Sequence, residues 1–325
     1  LASGLVIPRP KEFARKRNAL ISGGIDKIQI ATDFDRTLTA YHAPDGSRGM
    51  SCHGVIESAP QLTPEYKAAA AALFDKYFPI ETSANLTKQQ KTPLMYEWYH
   101  QGHDLLIQQG FRREHVESAV THAVQRAAVQ LRAGMPAILT LAATHQVPTL
   151  VFSAGIGNVL TRIISKLHKP LDLHHSWVVS NFMNFREDGS LEDFTEPLIH
   201  MFNKNTEHVP DAYKEAVKQR PHVLLMGDSL GDVTMADGQP VEPDIILRIG
   251  FLNAQEKELL PLYEAAFDVV VLRDGPADVA LDILEKAAAV QHGGSSTSAP
   301  VGGARVPSAA SLAGSAPRQA ADLPV

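Results

Sequence analysis

Six short apolar runs punctuate the chain, each closing on polar or glycine residues. They are KIQIAT (27–32), VPTLVFSAG (147–155), WVVSNF (177–182), HVLLMGDS (222–229), DIILRIG (244–250) and DVVVLRD (268–274). Several are continuous rather than alternating, as strands buried on both faces of a parallel sheet require. Between them the spacing turns helical. Val159, Leu160, Ile163, Ile164 and Leu167 follow the second run, and 211–219 and 277–290 are two further helix candidates. This alternation predicts an α/β fold with a doubly wound, mostly parallel sheet, whose ligands gather at the carboxyl ends of the strands.

The stretch from Tyr41 to Ala137 breaks the rhythm, with almost no strand signal. Thr63-Pro64 reads as an N-cap and first-turn proline opening PEYKAAAAALFDKYF. KTPLMYEWYHQGHDLLIQQ and REHVESAVTHAVQRAAVQLRA also have helical spacing. The expected organisation is an α/β core from 1–41 and 138–290, with an inserted all-helical cap at 42–137. Such a cap would cover the strand ends as a lid. Asp188-Gly189 predicts a hairpin turn between SNFMNF and LEDFTE. From 291 to 325 the chain is rich in Gly, Ser, Ala and Pro, the composition of a disordered tail.

Composition narrows the function classes. The 325 residues are 44% hydrophobic and 20% charged, ordinary for a globular protein, and the formal net charge of −6 gives no basis for nucleic-acid or anionic-membrane binding. KEFARKR, near the start, is the one dense basic run and reads as a solvated end. No apolar run approaches the ~20 residues of a membrane span. With Cys52 as the single cysteine, an intramolecular disulfide is impossible and a cytoplasmic home is expected. Asn85-Leu86-Thr87 matches a glycosylation acceptor, which matters only on a secretory route.

Four stations carry candidate chemistry: Asp33-Phe34-Asp35-Arg36-Thr37, Ser153-Ala154-Gly155, Lys204, and Asp228 with Asp232 in GDSLGD. Each alone is weak, since a D-x-D is often a capped turn and a lysine is usually a solvated charge. Each lies at or just beyond an expected strand end, in the order a single site would use. Carboxylates meeting at one sheet edge repel without a cation, and a hard divalent ion with oxygen ligands resolves that repulsion. Lys204, the Ser153 hydroxyl and backbone amides opening the helix after SAG would receive a phosphate. The GIGN segment is no dinucleotide fingerprint, because Leu160 stands where its third glycine belongs. Cys52-His53 and His174-His175 lack a full ligand set for a transition metal.

These motifs resemble the haloacid dehalogenase superfamily of phosphohydrolases. More narrowly, DFDRTLT, PLMYEWYHQGHDLL, FSAGIGNVL, VVSNFMNF, LIHMFNKN and LLMGDSLGDVTMADG are similar to the cytosolic pyrimidine 5′-nucleotidase family, from about Lys11 to Lys286. The resemblance implies Asp33 as nucleophile and Asp35 as general acid and base. It implies Mg²⁺ held by Asp33, Asp35 through its carbonyl, and Asp228, with Asp232 supporting the metal indirectly. Phosphate would be held by Ser153, Ala154 and Lys204. Glu97 of EWY would contact the base, with Tyr99 and His103 lining the same pocket. Thr37 would hydrogen-bond nearby backbone or serve the turn, and Phe34 and Trp98 would pack as core. Arg36 stands where relatives commonly carry methionine, and Ala127 where a serine can reach the substrate. The implied activity is hydrolysis of CMP and UMP by a monomer. Alternatives are a 7-methylguanosine monophosphate nucleotidase, a nucleoside phosphotransferase, and a non-catalytic nucleotide-binding module, against which the intact Asp33/Asp35 pair argues.

Overall fold

All six apolar runs become parallel strands of one sheet. A computed structural model describes residues 4–292 apart from 84, 169–174, 206–207 and 239–244. The described strands are β1 (Leu5–Val6), β2 (Ile28–Thr32), β3 (Thr149–Ile156), β4 (Ser176–Asn181), β5 (Met183–Phe185), β6 (Leu191–Phe194), β7 (His222–Gly227), β8 (Ile245–Leu252) and β9 (Val269–Leu272). Seven of them form a sheet in the order β1-β9-β8-β7-β2-β3-β4, parallel except for β1 against β9. Chain order reverses around β2, which places the expected ligand crevice at its carboxyl end. All five β2 residues are buried, as a central strand covered on both faces demands.

The α-helices among the described residues are α1 (Pro10–Gly23), α2 (Cys52–Glu57), α3 (Pro64–Thr82), α4 (Lys88–Gln108), α5 (Arg113–Gln125), α6 (Met135–Thr144), α7 (Gly157–Leu167), α8 (Asp211–Ala216), α9 (Glu256–Ala266) and α10 (Asp278–His292). The basic run near the start is α1 itself rather than a loose end. Lys16 pairs with Asp268 at 2.8 Å and Arg17 with Asp282 at 2.7 Å, which ties this helix to the sheet and to α10. Thr63 caps α3 by accepting from the Tyr66 amide, and Thr87 caps α4 in a reciprocal box with Gln90. Thr87 of the acceptor-like tripeptide thus has a structural task.

Residues 42–137 are mainly helical and pack both among themselves and against the core. α3 and α4 pair with each other, whereas α2 and α5 pack against α7, and one apolar cluster runs through Val55, Val116, Val120, Leu160 and Ile163. The helical spacing expected through Ala133 ends at Gln125. Ala127 takes a left-handed φ of 52°, and the following segment instead pairs with the loop after β2. Met50 N–H donates to Ala128 O at 2.8 Å and Ala40 N–H to Gln130 O at 2.9 Å, tertiary bonds that override local propensity. The hairpin forms as expected: β5 and β6 pair antiparallel on either side of Asp188-Gly189. Residues 293–325, and with them nearly all of the expected tail, lie outside the described residues, as does His174. Among the described residues, no helix is long and apolar enough to cross a membrane.

Candidate active site

Four segments leaving the sheet at its carboxyl edge build the site. Asp33 follows β2 directly and its amide continues the ladder, donating to Met226 O at 3.0 Å. Asp228 follows β7 in the same way. Ser153 lies within β3, and Lys204 lies in the loop beyond the hairpin. Asn181, at the end of β4, fixes both of these segments. Its side-chain amide donates to Ala154 O at 3.0 Å and Ile199 O at 2.9 Å, and its carbonyl accepts from Ile199 N–H at 2.8 Å.

The charges converge as the sequence implies. The Lys204 ammonium donates to Asp33 Oδ1 at 2.6 Å and to Asp232 Oδ1 at 2.7 Å, with all three side chains buried. Carboxylate oxygens of Asp33, Asp228 and Asp232 lie within 4.8 Å of one another. Burial pushes Asp33 up to about 7; Lys204 opposes this and the Asp232 charge adds to it. Burial also raises Asp228, followed by the charges of Asp33 and Asp232. Burial opposes the charge of Lys204, yet Asp232 and Asp33 hold its pKa above the ordinary lysine value. Crowded carboxylates with one ammonium leave an unbalanced negative site, and hard oxygen donors at this spacing fit Mg²⁺. Asp232 has both oxygens engaged, Oδ1 by Lys204 and Oδ2 by the Ser229 amide and hydroxyl at 2.9 and 2.8 Å. It is arranged to hold the other groups rather than to ligate directly.

Asp35 is raised by burial and held by the Cys52 amide, which donates to its Oδ1 at 2.9 Å. Ser153 Oγ accepts from Gly155 N–H at 3.0 Å. β3 runs through Ser153-Ala154-Gly155 to Ile156, so α7 opens at Gly157 and not directly after SAG. A Cβ on Gly155 would sit 3.0 Å from Cys52 Cβ and 3.1 Å from Asp35 Oδ2, which explains why glycine is needed beside the acid. Thr37 Oγ1 is buried without a hydrogen-bond partner, and the bond to nearby backbone is made by Thr39 instead, which accepts from Arg36 N–H at 2.7 Å.

A cavity of about 660 Å³ opens above this floor, a size suited to a small-molecule ligand. Asp33, Asp35, Ser153, Ala154, Lys204 and Asp228 line it. So do Tyr99, His103, His53 and Trp98, which stacks on Tyr77 with ring centroids 5.8 Å apart. Trp98 is therefore both packed and part of the wall. His103 stacks flat on Phe194 of the hairpin at 3.6 Å, its buried Nε2 has no partner, and burial lowers its pKa to about 3. Burial likewise lowers His53 to about 4 and raises the Cys52 thiol.

Glu97 does not line the cavity. Its side chain is 44% exposed, 3.3 Å from Lys76 and 3.0 Å from the Gln101 amide on the outer face of α4. Two carboxylates line the wall above the floor: Glu57 at the end of α2, and Glu81 at the end of α3 near Tyr99, both with pKa raised by burial. Lys91 holds that corner by donating to Glu81 O at 2.9 Å. Periodicity alone could not select Glu81, because only the α3–α4 pairing turns it inward. Ala127 is also absent from the wall. A second residue outside the motifs is Arg132, 1% exposed, which donates to Arg36 O, to Thr37 O at 2.9 Å and to Gly275 O at 2.8 Å, and pairs with Asp274 at 2.9 Å.

Comparison with known proteins agrees with this geometry. Residues 36–288 match the pyrimidine 5′-nucleotidase (UMPH-1) family. A protein of Xenopus laevis named 7-methylguanosine phosphate-specific 5′-nucleotidase A is 35% identical over 279 residues, covering 85% of this chain and 93% of the relative. The crystal structure of cytosolic 5′-nucleotidase IIIB bound to cytidine superposes with a TM-score of 0.80 at 30% identity, covering 89% of this chain and 95% of that one. A haloacid dehalogenase family hydrolase from Salmonella enterica serovar Typhi shares the fold, with a TM-score of 0.52 at 16% identity over 85% of this chain and 81% of its own. With a haloacid dehalogenase-like core and this motif order, the chain belongs to the pyrimidine 5′-nucleotidase family of hydrolases.

Proposed function

We propose that this protein is a magnesium-dependent, monomeric, cytoplasmic 5′-nucleotidase that hydrolyses CMP and UMP through a phosphoaspartate on Asp33. The observation that carries the reading is the buried Asp33–Lys204–Asp232 chain beside Asp228, on the floor of a cavity with its own wall carboxylates. Asp33, Asp228 and the Asp35 carbonyl would hold Mg²⁺, which neutralises charge so that carboxylate and phosphate can approach. The Asp33 carboxylate attacks phosphorus as the bond to the 5′ oxygen breaks, and Asp35 gives that oxygen its proton. Asp35 then takes a proton from water, which attacks the same phosphorus and releases phosphate and free Asp33. Lys204, the Ser153 hydroxyl and the Ala154 amide hold the phosphoryl oxygens. Burial raises the pKa of Asp35, the direction a general acid requires.

Glu81 replaces Glu97 as the reader of the base, with Tyr99 and His103 beside it. A wall carboxylate accepts from a cytosine amino group or a uracil ring N–H. A second reading is 7-methylguanosine monophosphate, favoured by the name of the Xenopus laevis relative and by the aromatic wall of Phe78, Trp98 and Tyr99, which suits a cationic base. Phosphate release from CMP, UMP, 7-methylguanosine monophosphate and GMP, with and without magnesium, tests both readings. Turnover of none of them overturns the proposal. Transfer of the phosphoryl group to an added nucleoside instead of water would make the enzyme a phosphotransferase.

A further inference from the structure

The loop after β2 holds one residue in a costly conformation. Arg36 has a φ of 65°, in the left-handed region that a long side chain rarely adopts. Four contacts impose it. Thr39 Oγ1 takes its N–H at 2.7 Å, Arg132 and the Asn253 side-chain amide both donate to its carbonyl, the latter at 3.1 Å, and Thr39 N–H closes the loop on Phe34 O at 3.0 Å. The Arg36 side chain is thereby set on the cavity wall, its Nε buried and without a hydrogen-bond partner. An unmet buried donor on a cation is costly unless a ligand meets it.

Arg48 completes a pair. It comes from the 42–48 turn, also lines the cavity, and sets its guanidinium carbon 5.5 Å from the Tyr41 ring centroid, where that of Arg36 lies at 5.8 Å. Neither guanidinium makes a salt bridge or a side-chain hydrogen bond among the described residues, although the Arg36 charge is felt by Asp35, Glu81 and Asp228. Lys204, by contrast, is already engaged by two carboxylates. Among the described residues the cavity therefore holds two cations outside any direct salt bridge, on segments distinct from those that place the phosphate-holding lysine and the base wall.

We propose that Arg36 and Arg48 form a second anion site, which takes a second phosphoryl group of a nucleotide whose first phosphoryl lies at Asp33. Guanidinium forks match phosphate oxygens, and Tyr41 holds the pair in place. The site would favour nucleoside bisphosphates or diphosphates over monophosphates.

This rests on the proposed function, and the test separates the two. In the Asp33→Asn background with magnesium, which binds without turnover, dissociation constants are measured by calorimetry for CMP, cytidine 3′,5′-bisphosphate and cytidine 5′-diphosphate. At least one doubly phosphorylated ligand binds tenfold or more tighter than CMP, and the identity of that ligand tells a ribose phosphate from a second phosphate in series. Arg36→Met and Arg48→Ala each reduce the ratio to threefold or less. Equal affinity for all three ligands, or a ratio that survives both substitutions, overturns the second site. Should Arg36→Met fail to fold, Arg48→Ala alone decides. Phosphate release from CMP by the wild-type enzyme tests the proposed function separately.

Discussion

The carboxylate of Asp35 accepts the backbone N–H of Cys52 at 2.9 Å, joining the loop after β2 to the first residue of α2. The same loop end carries Asp33, so the two aspartates of one motif have different anchors: an ammonium for Asp33 and a backbone amide for Asp35. Burial raises both carboxyls, so it is the partner that separates them: Lys204 opposes the rise at Asp33, and the Cys52 amide opposes it at Asp35. Asp35→Asn should lower kcat by about 10²–10⁴-fold, the usual worth of general acid catalysis, with KM for CMP nearly unchanged. Steady-state phosphate release checks this. An Asp35→Asn enzyme with full kcat would remove Asp35 from the proton path.

Glu81 and Glu97 offer a paired test on adjacent helices. Glu81 faces the cavity, whereas Glu97 faces Lys76 and Gln101 outside it. A charge-assisted hydrogen bond to the base is worth about 1.5–3 kcal/mol, so Glu81→Gln should cost on the order of 10–100-fold in kcat/KM for CMP. A simple phosphate ester such as p-nitrophenyl phosphate should lose far less. Glu97→Gln should leave kcat/KM for both within about twofold, since an exposed pair outside the cavity contributes little. Kinetics on the two substrates settle which glutamate reads the base.

What the sequence revealed and what it concealed divide along physical lines. Buried parallel strands are nearly uniform apolar runs, so β2, β3, β4, β7, β8 and β9 were readable, and with them the places where Asp33, Ser153 and Asp228 leave the sheet. β1 has two residues and no period to read. α3 and α4 were readable from Thr63-Pro64 and from spacing, but spacing does not say which turn faces the cavity. Glu81 and Glu97 could be told apart only once α3 and α4 were packed together. Arg132 was invisible for another reason. Its partners are the carbonyls of Arg36, Thr37 and Gly275 and the carboxylate of Asp274, far away in sequence.

The acidic floor predicts a metal effect on stability as well as on rate. Asp33, Asp228 and Asp232 repel one another, and a divalent ion bound only in the folded state relieves that repulsion. At magnesium a hundredfold above its dissociation constant, stability should rise by about 2.7 kcal/mol, and chelation should reverse it. Asp228→Asn should remove most of the rise while stabilising the metal-free protein. Thermal unfolding with and without magnesium, for both proteins, measures it.

Arg132 should control the shape of the loop that carries Asp35. Its guanidinium holds two consecutive loop carbonyls and pairs with Asp274, which in turn accepts the Tyr41 and His42 amides at 2.8 Å. Arg132→Met removes the guanidinium partner of Asp274 and leaves it only the Tyr41 and His42 groups, and breaking a buried pair costs about 3–5 kcal/mol. In the fraction that remains folded, kcat should fall more than KM rises, because Asp35 loses its fixed place while the base wall is untouched. Denaturant unfolding measures the first effect and initial rates the second. A stable variant with unchanged kcat would show that the loop keeps its form without Arg132.

His200 gives the pH dependence a definite sign. It is fully buried, its ring accepts the Phe202 amide at 3.1 Å, its Nε2 has no partner, and burial lowers its pKa from 6.5 to about 4. Above pH 6.5 the ring is neutral whether the chain is folded or not, and it costs nothing in proton terms. Between 6.5 and about 4 the unfolded chain binds a proton that the folded one refuses, so stability falls as pH falls. At pH 5 this one histidine destabilises the fold by about 2 kcal/mol relative to pH 7. His53 and His103, lowered to about 4 and about 3, act in the same direction. His200→Asn should therefore flatten the loss in stability between pH 7 and pH 5 by about 2 kcal/mol, whatever it does to stability at pH 7. Denaturant unfolding of both proteins at the two pH values tests the slope, and an unchanged slope would mean that His200 gains its proton without opening the fold.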